Sequence, residues 1–171
     1  MLRDFAIVAT AYGANFQDLK SSGAEGIFSL FLGVILSFSL GALIAIFFGY
    51  TDAISITTIG AGAVTFVVGP ITGSAIGAGS EVIALSVAAG LVKSILVMTM
   101  TPLVARRIGL NNPKSAMVFG GLIGTNSGVA AGLAAVDPKL VPYGAMTATF
   151  YTALGCLIVP SVLFFIVNLF Y

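Results

Sequence analysis

Residues 82–105 read VIALSVAAGLVKSILVMTMTPLVA, twenty-four positions with a single charge, Lys93, near the middle. A stretch of this length and apolarity crosses a bilayer as a helix. Lys93 lies twelve residues from Glu81 and from Ala105, about 18 Å along a helix at 1.5 Å per residue, beyond the reach of a snorkelling stem. A charge at that depth costs about 2.5–3.5 kcal/mol on insertion scales and faces a cavity or a partner. No acid stands at the same depth in the sequence. An anionic ligand is the first functional expectation. The competing one is a structural ion pair with chain outside this sequence or with a partner subunit.

Composition agrees with a membrane setting. Of 171 residues, 58% are hydrophobic and 8% charged, against about 25% charged in a soluble domain. The net charge of +1 comes without a dense basic run, which argues against nucleic acid as a partner. Histidine is absent, removing the commonest general base and metal ligand. Cys156 is the single cysteine, so no intrachain disulfide or Cys-based metal cluster forms. No enzyme is expected, and no cofactor.

Outward from the Lys93 helix, the chain divides into one all-α polytopic membrane domain over 1–171, with about 4–6 transmembrane or re-entrant segments. Residues 1–20 read as the remnant of a longer N-terminal helix. Residues 26–49 span. Residues 53–80 form a broken or re-entrant segment, and 81–105 span, with Ser80 able to cap the start and Glu81 suited to the positive helix end. Residues 114–136 are again broken, re-entrant or spanning, and 140–169 span. Segments 54–103 and 114–161 share one plan: a Gly-rich interrupted stretch, a polar break, then a full helix with a late proline, Pro102 or Pro160. That pattern predicts an internal (inverted) repeat of the kind common in secondary transporters.

Orientation follows Lys and Arg in short loops. Arg106, Arg107 and Lys114 put their loop in the cytoplasm. With two re-entrant hairpins entering from opposite sides, Lys20 and Lys139 join them inside. With two full spans, they face outward.

Glycine gathers in GAGAVTFVVGPITGSAIGAG at 60–79 and GGLIGTNSGVAAG at 120–132. One reading is a pair of discontinuous helices, whose ends aim at anions and cations. The other is a straight helix with a small-residue face, since Gly69, Gly73 and Gly77 recur every four positions, as do Gly120, Gly124, Gly128 and Gly132. Pro70 favours a break in the first. The candidate substrate residues are therefore Lys93, Gly69, Thr72, Gly73, Ser74, Thr125, Asn126 and Ser127. Sodium prefers neutral oxygens on broken backbone, and Thr65, Thr72, Asn126 and Ser127 are the weaker candidates for it. The threonines Thr57, Thr58, Thr147, Thr149 and Thr152 either line a path or bond to carbonyls one turn earlier.

The strings SITTIGAGAVTFVVGPITGSAIGAGSEVIALS, GLNNPKSAMVFGGLIGT and DPKLVPYGAMTATFYTALGC closely resemble the M subunit of the two-subunit malonate/sodium symporter. MLRDFAIVATA resembles an interior stretch of that subunit. The resemblance covers nearly the whole chain. It implies sodium-coupled uptake of malonate across the bacterial inner membrane, with sodium as coupling ion and a smaller L subunit as partner. It also implies that an N-terminal part precedes this sequence. Without it, the residues themselves reach only an anion carrier. A passive channel or holin-like membrane protein is the alternative, distinguished by flux that needs no sodium gradient.

Overall fold

The structure, a computed structural model, describes residues 23–171. The expected helix remnant at 1–20 and Lys20 lie outside the described residues. Those described form helices and connecting turns, with no strand among them. Helix α1 spans Gly23–Phe47, α2 Ala53–Val64, α3 Val68–Ile76, α4 Ser80–Val104, α5 Pro113–Ile123, α6 Asn126–Val136 and α7 Val141–Ile158. A π turn at Val159–Leu163 leads into the short α8, Phe164–Asn168. Among the described residues, three stretches are long and apolar enough to cross a membrane: Glu25–Phe47, Ser80–Val104 and Pro138–Asn168.

The boundaries have local causes. Asp52 caps α2 by accepting from Ser55 N at 2.7 Å, which satisfies one of the free N–H groups at a helix start. Asn112 and Ser115 form a reciprocal capping box at the start of α5, with Pro113 as its first residue. The start of α4 differs from expectation. Ser80 is its first helical residue, and Gly79 is the cap, with extended backbone and no side-chain bond. Pro160 cannot donate to the turn before it, and the helix widens there into the π turn.

Two helical hairpins organise the fold. The first is α2–α3. Gly69 lies against Gly62, and Gly73 against Thr58, so the two arms run antiparallel. Along α4, Gly73 meets Ile83, Gly62 meets Ser86 and Phe66 meets Gly90. The hairpin therefore starts beside the beginning of α4, turns over at its middle and returns to the same end. The second hairpin is α5–α6. Along α7, Gly120 meets Gly144 and Gly124 meets Tyr151, while Val129 on the returning arm comes back to Gly144. Along α4, however, Gly128 meets Ser94 and Gly132 meets Thr101. This hairpin comes from the far end of α4. The two tips approach its middle from opposite directions.

The halves are thus inverted copies, and their contacts correspond. Gly62 against the Ser86 backbone and Gly120 against the Gly144 backbone are equivalent pairs, each partner displaced by 58 positions. Pro102 and Pro160 share that displacement. A side chain at either glycine would enter the neighbouring carbonyl, so the helices pack backbone to backbone. Helix α1 runs across both halves, packing on α2, α5 and α7. Leu30, Val34, Phe38, Val64, Val68 and Tyr151 form a buried core between them.

Candidate functional site

The site forms where the hairpin tips meet the middle of α4. Helix α2 stops at Val64, and its last carbonyls lack helical partners. Thr65 N closes back onto Ala61 O at 3.2 Å. Ala63 O and Val64 O instead accept from Lys93 Nζ, each at 3.0 Å. Lys93 also donates to Ser37 Oγ of α1 at 3.0 Å and contacts Tyr151 Oη of α7 at 3.4 Å. Its Nζ stands 5.3 Å from the Tyr151 ring centroid, within the range in which a cation is drawn to an aromatic face. A half-helix C-terminus carries partial negative charge, and a cation there is stabilised. Among the described residues the only ion pair recorded is Lys114–Glu25 at the protein surface. Lys93 is therefore held by neutral oxygens, with no described carboxylate beside it.

The next residue on α4 serves the other tip. Ser94 Oγ is hydrogen-bonded to Thr125 Oγ1, both side chains being buried. The second tip consists of Gly124, with a φ of 73° that suits glycine, and Thr125 in extended conformation. The Tyr151 ring lies against Gly124, and its hydroxyl donates to Gly33 O of α1 at 3.2 Å. Tyr151 thus reaches from the second tip to α1 and to Lys93, which holds the first tip.

The remaining candidate residues distribute as follows. Thr65 Oγ1 accepts from Val67 N at 3.3 Å and Val68 N at 3.1 Å, so it caps the start of α3. Gly69 is buried against Ser86, and Gly73 against Ile83 and Thr58. Both glycines pack within the first hairpin. Thr72 is buried, and its hydroxyl, like that of Thr57, has no hydrogen-bond partner among the described residues. Ser74 and Ser127 are exposed. Asn126 opens α6 and pairs with Thr149 of α7, donating at 3.0 Å and accepting at 3.2 Å. Lys93, Thr65, Thr125 and Asn126 lie at or beside the tips, whereas Thr72, Gly73 and Ser74 lie further down α3. The bland reading suits Thr58, Thr147, Thr149 and Thr152, which bond to carbonyls three or four residues back.

Ser37, Ser94, Tyr151 and the carbonyls of Ala63 and Val64 were not singled out from sequence. The repeat held a signal for one of them: Tyr151 occupies in the second half the position of Lys93 in the first. Two hollows lie elsewhere among the described residues. One of about 630 Å³ opens beside Lys114 and Phe119, and one of about 350 Å³ beside Phe48 and Leu85. None of the candidate residues lines either.

This arrangement defines a polytopic membrane protein with inverted halves, interrupted helices and a cationic side chain where the interruptions meet. The chain belongs to the malonate/sodium symporter MadM subunit family, whose model matches residues 1–171. No curated protein and no solved structure matches the chain.

Proposed function

We propose that this chain is the membrane-embedded subunit that carries malonate inward with sodium across the bacterial inner membrane, together with a smaller L subunit. The observation that carries the reading is Lys93, a cation among neutral oxygens at the meeting point of two half-helix ends. Malonate brings carboxylates to a site with a mobile ammonium and, across the tip, the N-terminal end of α6. Lys93 binds one carboxylate. The backbone N–H groups at Asn126 and Ser127, with Thr125, receive the other, since a helix N-terminus favours an anion. The 69–74 segment contributes through Thr72, more than a turn down α3 from the tip, where its buried hydroxyl, without a partner among the described residues, faces the substrate's route rather than the meeting point of the tips.

Orientation supports import through two re-entrant hairpins. Arg106, Arg107, Lys114 and Lys139 all fall at the end of the fold where α4 stops and α7 starts. The opposite end carries Asp52 and Glu81 and, among the described residues, no Lys or Arg. The basic end is cytoplasmic by the Lys/Arg rule. The α2–α3 hairpin then enters from outside and α5–α6 from inside, giving each tip its own route to the centre.

The test is malonate uptake into vesicles carrying both subunits. Uptake driven by an inward sodium gradient, and lost in Lys93→Met, is the expected result. Equal flux without the gradient would make the protein a passive channel.

A further inference from the structure

Four oxygens surround the Lys93 ammonium: Ala63 O, Val64 O and Ser37 Oγ at 3.0 Å, and Tyr151 Oη at 3.4 Å. They come from α1, α2 and α7, three separate elements. All are neutral, and two are main-chain carbonyls at a half-helix end, groups that only accept. A lysine at depth pairs with an acid or with backbone carbonyls, and among the described residues this one is held by carbonyls and hydroxyls alone. This is the donor set that holds a monovalent cation in interrupted-helix carriers: hard neutral oxygens, unwound carbonyls and the negative end of a helix.

We infer that the end of α2, with Ser37 and Tyr151, is the sodium seat, and that the Lys93 ammonium and sodium occupy it in turn. The inference rests on the proposed sodium-coupled carrier and supplies its coupling step. Two unit positive charges cannot share these four oxygens, because they repel strongly at such separation in a medium of low dielectric. Sodium entering the seat displaces the ammonium. The displaced ammonium finds no acidic partner among the described residues, and a carboxylate of the substrate compensates it. Malonate, by drawing Lys93 away, opens the same seat to sodium. Each ligand therefore raises the affinity for the other by the same factor, as linkage requires. Neither ion alone finds its site complete, which suppresses uncoupled leak.

The assignment differs from the sequence expectation for sodium. Thr65 uses its hydroxyl to cap α3, and Asn126 is engaged with Thr149. The seat uses the carbonyls just before Thr65 rather than its side chain.

The experiment measures sodium and malonate binding separately, by calorimetry on the full chain with its partner subunit in nanodiscs. In the wild type, saturating malonate should tighten sodium binding at least tenfold. In Lys93→Met the seat is permanently open. Sodium alone should then bind at least tenfold tighter than it binds the wild type alone. Ser37→Ala added to that variant should weaken sodium several-fold. Lys93→Gln, which keeps N–H donors but no charge, serves if the methionine variant does not fold, and should show the same gain. Sodium affinity unchanged or weakened on neutralising Lys93 would overturn the shared seat. The parent reading fails on a different measurement: malonate binding retained by the neutral variant would remove Lys93 from the carboxylate, whatever sodium does.

Discussion

Lys93 and Tyr151 touch, Nζ to Oη, at 3.4 Å, and they hold equivalent positions 58 residues apart in the inverted halves. Each reaches the tip of its own hairpin: Lys93 the carbonyls that end α2, Tyr151 the glycine that ends α5. The two positions meet at the centre because inversion brings equivalent points of the halves together there. One half supplies a mobile charge. The other supplies a rigid ring with a polar tip, anchored on Gly33 O. The asymmetry makes a single site out of two related ones.

Tyr151→Phe removes the hydroxyl and keeps the ring on Gly124. The hydroxyl bonds both Gly33 O and Lys93 Nζ, and each lost hydrogen bond costs about 1 kcal/mol, so the melting temperature should drop by a few degrees while uptake falls several-fold. Tyr151→Ala should cost about 3–5 kcal/mol, as expected for deleting a buried ring, and both tips should loosen together. Thermal unfolding in detergent, compared with vesicle uptake, separates the cases. Equal stability of Phe and Ala variants would contradict the packing role of the ring.

The glycines give a graded test of backbone contact. A Cβ at Gly62 would enter the Ser86 carbonyl, and one at Gly120 the Gly144 carbonyl. At Gly79 it would meet nothing within 4 Å. Gly62→Ala and Gly120→Ala should therefore destabilise by about 1–3 kcal/mol through overpacking. Gly79→Ala, at a helix cap, should cost well under that. Matched losses at Gly62 and Gly120 follow from the repeat, and a tolerant Gly120 would break the equivalence.

Re-entrance predicts which side each loop faces. With Cys156 replaced by serine, Thr51→Cys and Ser80→Cys flank the first hairpin and should label from the periplasmic face alone. Asn111→Cys and Lys139→Cys flank the second and should label from the cytoplasmic face alone. A membrane-impermeant maleimide on intact cells and on inverted vesicles reads this directly. Opposite sidedness within either pair means that the segment spans.

The helical class, the inverted plan and family membership were legible because each rests on long patterns. Apolar length, paired glycine-rich stretches and matched prolines survive without coordinates. The partners of Lys93 were not legible. Ala63 and Val64 contribute through their carbonyls, which any residue type carries, and Ser37 lies 56 positions away. The capping of α4 was misread because a serine beside the helix start looks like a cap, whereas Gly79 fills that place with its backbone alone. The two readings of the glycines were not rivals in the end. Gly62, Gly120 and Gly128 pack helices closely, while Gly124 permits the turn that interrupts one.

Two buried hydroxyls without a partner among the described residues, Thr57 on α2 and Thr72 on α3, set stability against transport. Leaving a buried hydroxyl unpaired costs about 1–3 kcal/mol. Valine has nearly the same shape and removes that cost. Thr57→Val and Thr72→Val should each leave the melting temperature unchanged or raise it by a few degrees. Thr72 lies in the segment assigned to substrate, and Thr72→Val should lower malonate uptake at least fivefold in the same vesicles that show its stability preserved. Thr57 is one full turn or more from the end of α2, outside the proposed seat, and Thr57→Val should transport at near wild-type rate. Uptake unaffected by Thr72→Val would remove Thr72 from the pathway and leave α6 as the source of donors to the second carboxylate.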